Sequence, residues 1–375
     1  MTDKDTERRQ LGREDLLAGA SLVGAELGGA QLEGRDLRNV DLSGADLRGA
    51  NLDRADLRAV RLAEADLRDA SLRGASLAGA DLSAALLSGA DLSEAILTDA
   101  QLAGVSLQAC RMVGASLQNA VLAASDLTSA DLTGASLEGA NLAGSKLTEV
   151  LLAGSDMRGC NLHGVNLARS NLAKADLRGA SLKGANLTGA NAAFAFLSEA
   201  DLSGSVWRDA SAPGARFRGC DCAGTVFVRA DLSRTDFTEA QARDADFTRA
   251  TLRASTLERV AAERAVFEFA DLSQVVATHA KLAHANLTGA NLDAARLASS
   301  DLRNADLFWA ELGTANLTGS EREGMRSPVP THVAYGPPGI SAPHVAKQPL
   351  YRSPATAEDV QRLLEGAPDR DAARN

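Results

Sequence analysis

From Leu17 to Leu317 the chain keeps a five-residue frame in which the residue whose number ends in 2 or 7 is nearly always large and apolar. In ADLRGANLDRADLRA, residues 45 to 59, those residues are Leu47, Leu52 and Leu57. On an α-helix five residues advance a side chain by about 140°, so these leucines would spiral around the rod. On a straight strand an odd spacing throws successive leucines onto opposite faces. The pattern therefore predicts a chain that turns a corner inside every pentad and returns each leucine to one interior.

With the leucine position called i, the frame runs without insertion or deletion. Where i is not Leu it is Met112, Met157, Trp207, Cys222, one of the phenylalanines 217, 227, 237, 247 and 267, or one of the alanines 192, 212, 242, 262 and 277. Position i−2 is small, most often Ala, so a large knob sits beside a small gap. Every glycine between residues 17 and 319 except Gly28 and Gly313 falls at i+2. That is the position of a type II turn that requires φ > 0. Pro213 precedes Gly214, which places Pro-Gly at the two central positions of such a turn. Each pentad reads as a short strand and a turn.

The pentads ADLRG, ANLDR, ADLSG, ANLTG and ADLTG occur as they stand. In these the chain resembles the pentapeptide repeat proteins, whose motif is written A(D/N)LXX. The resemblance implies an all-β fold, a right-handed quadrilateral β-helix with four pentads per coil. At strand spacing this gives about fifteen coils and a rod of ~70 Å. Four sides would place Ala212, Phe217, Cys222 and Phe227 in one layer, rings opposed and small residues on the other two sides. Arg35 departs from the frame, since it occupies an i−2 slot. It is expected to leave through the open N-terminal end or to pair with a carboxylate, because an unpaired interior charge costs several kcal/mol.

The ends differ from the middle. Residues 1–16 are polar and read as an N-terminal cap, 17–320 as the β-helix, and 321–355 as a Pro-rich linker. Residues 356–375 read as a short helix and tail, with Thr356 as N-cap, Gly366 as stop, and Val360, Leu363 and Leu364 as its apolar stripe. So short a helix must dock on something to be stable.

Composition narrows the chemistry. Aromatic residues make up 3% of the 375, so leucine and alanine must build the core. The N-terminal stretch MTDKDTERRQ has no apolar h-region and no apolar run reaches the ~20 residues of a membrane helix. The expectation is a cytoplasmic protein with no membrane contact. Cys110, Cys160 and Cys220 sit in i−2 slots and Cys222 in an i slot, so all four are expected to be buried, reduced and packed as small hydrophobes. Serine and aspartate recur as outward i−1 residues, and His279 and His284, five apart at turn positions, lack a third ligand at a recognisable spacing. No phosphate loop or dinucleotide fingerprint is present. The reading is no enzyme, no cofactor and no metal site.

Two functions compete. Some pentapeptide repeat proteins resemble B-form DNA in size, shape and charge, bind DNA gyrase and protect it from quinolones or toxins; some dimerise through a C-terminal helix, for which residues 357 to 365 are the counterpart here. Almost all of the net charge of −10 lies in the repeat array. A duplex of that length would carry on the order of forty charges. Asp36, Asp46, Asp56 and Asp66 are each followed two residues later by an arginine, and no face has an unbroken column of i−1 carboxylates. The favoured reading is an interaction scaffold: a rigid rod that binds a protein partner and makes no direct contact with nucleic acid. Val206, Val226, Val228, Val266, Phe269, Phe308 and Trp309 are apolar at outward positions of one predicted face. With Val360, Leu363 and Leu364 they are the candidate contact residues, and Phe194 and Phe196 form a smaller patch on another edge.

Overall fold

The computed structural model describes residues 20–326. By its contacts the chain divides into two units, Met1–Thr331 and His332–Asn375, and the second lies outside the described residues. The expected N-terminal cap and the C-terminal helix lie outside them as well.

Each outward i−1 residue makes a parallel bridge to the residue 20 positions later, beginning with Ser21 to Asp41 and ending with Asp306 to Arg326. Twenty residues are four pentads, so the chain closes one coil every four corners: the fold is a right-handed quadrilateral β-helix. Face 1 carries Leu22 and Leu42, face 2 Leu27 and Leu47, face 3 Leu32 and Leu52, and face 4 Leu37 and Leu57, each column continuing at that interval.

The backbone bonds explain why a pentad is the unit. Leu22 N–H donates to Asp41 O at 2.7 Å, Gly24 N–H to Ser43 O at 2.9 Å, and Asp41 N–H to Ala20 O at 2.9 Å, all between coils. Ala25 N–H then donates to Leu22 O at 3.1 Å and closes the corner. Buried backbone groups must be paired, and this scheme pairs them with neighbours above, below and within the turn. The i+2 residue has φ near +60° at every described corner but that of Thr314, including 34 positions held by residues other than glycine.

None of those residues is β-branched, and Thr314 shows why. It stands in an i+2 slot but does not take positive φ; Gly313 before it does, at +40°. Branching at Cβ makes the left-handed region prohibitive. The Thr314 N–H instead donates to Asp293 Oδ1 at 2.9 Å. Gly313, an exception to the glycine frame in sequence, is thus the residue that allows this corner to turn.

The interior is a single column of i and i−2 side chains, nearly all of them buried. In the aromatic section the layers form as the volumes require. Phe227, Phe247 and Phe267 stack along face 2 at 4.9 and 4.8 Å, and Phe217 and Phe237 stack along face 4 at 4.5 Å. The two ladders meet edge to face, Phe217 against Phe227 at 6.0 Å, while Ala212 and Cys222 fill faces 3 and 1. Where the face 2 ladder ends at Phe267 and face 4 offers only Ala277, a small apolar cavity remains, bounded also by Leu257 and Leu297.

The ladder runs six residues past Ser320, where the sequence frame was expected to stop. Gly324 takes the turn with φ +69°, and Met325 packs on the end of the core in place of a small i−2 residue. Arg35 is exposed, and its backbone stays in the ladder, so the side chain leaves the interior as expected.

Candidate functional site

Face 2 brings the seven predicted solenoid residues onto one side, in two groups. Val206 bridges Val226 in the next coil, and Val228 lies beside them; all three are half-buried. Asp246, Thr248 and Arg249 then interrupt the apolar run. The second group is Val266, half-buried, with Phe269, Phe308 and Trp309 exposed at 37%, 41% and 60%. Phe308 and Trp309 stack on each other with ring centroids 4.7 Å apart.

The left-handed turns aim these rings. A side chain at i+2 leans toward the following coil, and a glycine there gives it a seat: the Phe269 ring occupies the space a Cβ on Gly289 would need. Gly289 separates Phe269 from Trp309 in the i+2 column, and the Phe269 ring covers its backbone. The same device seats Phe194 over Gly214, at the corner where Arg216 lies 5.0 Å from the Phe196 ring. Sequence reasoning missed these glycine seats, although the 20-residue interval contains them. It also missed Arg326, which ends the described part of face 2, pairs with Asp306 at 3.0 Å and lies 6.0 Å from the Phe308 ring. Val360, Leu363 and Leu364 lie outside the described residues.

The charged faces are locally neutralised. Arg38, Arg48, Arg58 and Arg68 each hold the aspartate two residues earlier, at 2.6, 2.7, 2.5 and 2.6 Å. Arg38 and Arg48 also reach Asp56 and Asp66 of the next coil, at 3.5 and 3.7 Å. Hydrogen bonds from the Arg38 and Arg48 side chains hold Asp36 and Asp46 at about 2, below the ordinary carboxylate range. Bidentate pairs between coils, Arg229 on Asp209 and Arg264 on Asp244, lower the carboxylates at the turn positions through the same kind of hydrogen bond. On face 1 the outward column reads Ser21, Asp41, Arg61, Asp81, Gln101 and Val121, without a continuous acidic stripe. The middle coils are neutral there, with Asn161 donating to Asn141 at 3.1 Å, and on face 3 Asn191 likewise donates to Asn171 at 3.2 Å.

His279 and His284 occupy successive corner turns on faces 4 and 1, and no group of three or more His, Cys, Asp or Glu among the described residues could hold a metal. All four cysteines are buried and free, and burial pushes the Cys110 and Cys160 thiols up to about 12. Among the described residues no helix is long and apolar enough to cross a membrane.

Several solved structures are similar to this chain. They include QnrB1, a plasmid-mediated fluoroquinolone resistance protein, at 20% identity over 46% of this chain and 89% of that one, with a TM-score of 0.34. HetL from the cyanobacterium Nostoc sp. strain PCC 7120, involved in heterocyst differentiation regulation, is 29% identical over 72% of this chain and 91% of its own, with a TM-score of 0.17. Rfr23 from the cyanobacterium Cyanothece 51142 is 23% identical over 46% and 90%, with a TM-score of 0.15. No curated protein matches the chain. The family model described as pentapeptide repeats matches in overlapping stretches from residue 16 to 319, interrupted only at 205–214 and 254–269. Those two gaps hold Trp207, Ala212, Ala262 and Phe267, where the interior exchanges leucine for larger and smaller residues at the same period. With the model matching well over half of its length and each coil closed by four such units, the chain belongs to the pentapeptide repeat family.

Proposed function

We propose that the protein is a non-catalytic scaffold that binds another protein through the C-terminal half of face 2. The observation that carries this reading is the stacked Phe308 and Trp309 pair, exposed at the end of a face that also presents Phe269 and Val266. Large aromatic side chains are the usual anchors of protein interfaces, and several on one face exceed what scattered surface residues present. The regular β-helix supports the assignment by holding these side chains at fixed spacing without loops that must be ordered on binding.

The competing reading, gyrase protection by duplex mimicry, needs extended and unpaired negative charge. Arginines on Asp36, Asp46, Asp56 and Asp66 and the interrupted columns count against it. The two readings respond differently to salt, because screening weakens charge mimicry and leaves apolar contact intact. The test is affinity capture with the full chain and with its Phe308→Ala/Trp309→Ala variant, at low and high salt. Retention of a partner at high salt by the parent, with loss in the variant, is the expected result. Capture of gyrase subunits by both proteins, lost at high salt, would overturn the scaffold reading.

A further inference from the structure

Most lone polar side chains in the i−2 slot donate to a backbone carbonyl, and Ser170, whose buried hydroxyl has no partner, is an exception. The hydroxyls of Ser125, Ser145, Thr225 and Ser255 and the thiols of Cys110 and Cys160 donate to the backbone carbonyl 23 residues earlier, at 2.6 to 2.9 Å. Ser155 and Ser300 use instead the carbonyl three residues earlier, at 2.8 and 2.7 Å. For Cys220 those acceptors would be Leu197 O and Phe217 O, and it takes neither. Its Sγ turns to the i-position Cys222 of the same pentad, 2.7 Å away.

That separation is well inside the ~3.5–4.0 Å at which even unbonded carbon atoms rest, and sulfur is larger. Both side chains point inward from one short strand, where two residues span ~6.6 Å or less, within the Cα separation a disulfide accepts. Their backbones are fixed in the ladder: Gln241 N–H donates to Cys220 O at 2.9 Å and Cys222 N–H to Gln241 O at 2.6 Å. Two sulfurs held this way are placed to bond.

We propose that Cys220 and Cys222 are a redox pair that closes to a disulfide within one coil, by exchange with a low-molecular-weight disulfide of the glutathione type. One cysteine thiolate attacks a sulfur of glutathione disulfide, that S–S bond breaks, and the first glutathione leaves and takes up a proton. The other cysteine then attacks the protein sulfur of the mixed disulfide and releases the second glutathione. Two thiol protons and two electrons pass to the two glutathiones, and one S–S bond replaces another. Both cysteines are fully buried in the coil that holds Phe217 and Phe227, so exchange proceeds while the coil is locally open, and the closed coil then seals the product. The bond would form four residues before Val226, between the two coils that carry Val206 and Val226 of the first apolar group on face 2.

The experiment equilibrates the full chain in graded mixtures of reduced and oxidised glutathione, starting both from native protein and from reduced protein refolded in the same mixtures. After acid quenching, denaturation and alkylation, trypsin cuts at Arg218 and Arg229 and releases both cysteines on one peptide, Gly219–Arg229. The expected result is that this peptide passes from two alkyl groups to none in one step. Cys110 and Cys160, each alone in its slot, stay alkylated over the same range, and the native and refolded samples converge. With Cys220→Ser, Cys222 should also stay alkylated. A Gly219–Arg229 peptide that keeps both alkyl groups at every ratio, or that carries glutathione in place of an internal bond, overturns the proposal. The refolded arm removes burial as an explanation for a failure to react.

Discussion

Phe217 and Phe237 lie face to face one coil apart, with ring centroids 4.5 Å apart and planes 2° from parallel. Their stacking leaves no slack on the flanking sides, where Ala212 and Cys222 are fully buried. Ala212→Leu should therefore overpack the layer and cost about 1–3 kcal/mol, read as a lower melting temperature. An unchanged melting temperature would argue against four-residue layers.

Ala277 should behave in the opposite way. It borders the cavity left where the phenylalanine ladder ends, so Ala277→Val adds methyl groups to vacant apolar space. A gain of up to about 1 kcal/mol is expected by thermal unfolding, in line with other cavity-filling changes. A loss comparable to that of Ala212→Leu would mean the cavity is too narrow to accept even two carbons.

The turns give a third test. Gly104 has φ +69° and open space where a Cβ would go, so conformation alone decides what can replace it. Gly104→Asn should cost less than about 1 kcal/mol, since asparagine visits the left-handed region and already does so at Asn39. Gly104→Val should cost distinctly more, about 2 kcal/mol or above, as the changed corner at Thr314 implies. Chemical denaturation of the two variants side by side decides it, and equal losses would refute the argument from branching.

Acid should loosen the N-terminal coils. Asp36 and Asp46 are held at about 2, chiefly by hydrogen bonds from Arg38 and Arg48. A carboxylate depressed on folding contributes stability that is complete above its unfolded value near 4 and lost as pH falls toward its folded value. Hydrogen exchange across residues 36–68 should therefore accelerate between about pH 4 and pH 2. The Arg38→Gln/Arg48→Gln variant should lose most of that pH dependence, and an identical profile would remove the ion pairs from the explanation.

The two tryptophans should report separately. Trp207 is fully buried, with its indole N–H donating to Ser205 Oγ at 3.0 Å, whereas Trp309 is 60% exposed. Trp309→Phe should leave a blue-shifted emission that resists acrylamide, with stability changed by no more than about 0.5 kcal/mol. Trp207→Phe should leave the quenchable, red-shifted component. Strong quenching of the remaining tryptophan in Trp309→Phe would contradict the packing of Trp207.

Much of this molecule was legible because one interval governs it. Leu47, Leu52 and Leu57 demanded a corner in every pentad, and the glycines marked where it lies. Once four sides were supplied, the seven outward residues from Val206 to Trp309 fell on one face. The number of sides was not in the period, since a five-residue repeat fits any polygon; it came from the resemblance and appears in the bridges 20 residues apart. What stayed hidden were choices made by single side chains within a fixed frame. Thr314 passes its strain to Gly313, Phe269 lies down on Gly289, and Cys220 turns toward Cys222 instead of a carbonyl. Arg326 was hidden for another reason, since the ladder outlasts the leucine pattern by relying on Gly324 and Met325.

The bridge interval of 20 residues also makes the molecule a kind of dial. Removing one whole coil between Val228 and Val266 would shorten the rod and leave both apolar groups facing the same way. Removing a single pentad from the same stretch would keep every leucine inside, yet rotate everything beyond it by a quarter turn. Phe308 and Trp309 would then look out over a neighbouring side, away from Val206 and Val226. Core chemistry is indifferent to that rotation, but a partner that touches both groups is not. The conserved quantity for such a partner is the angle between patches, which the chain can change only in steps of 90°.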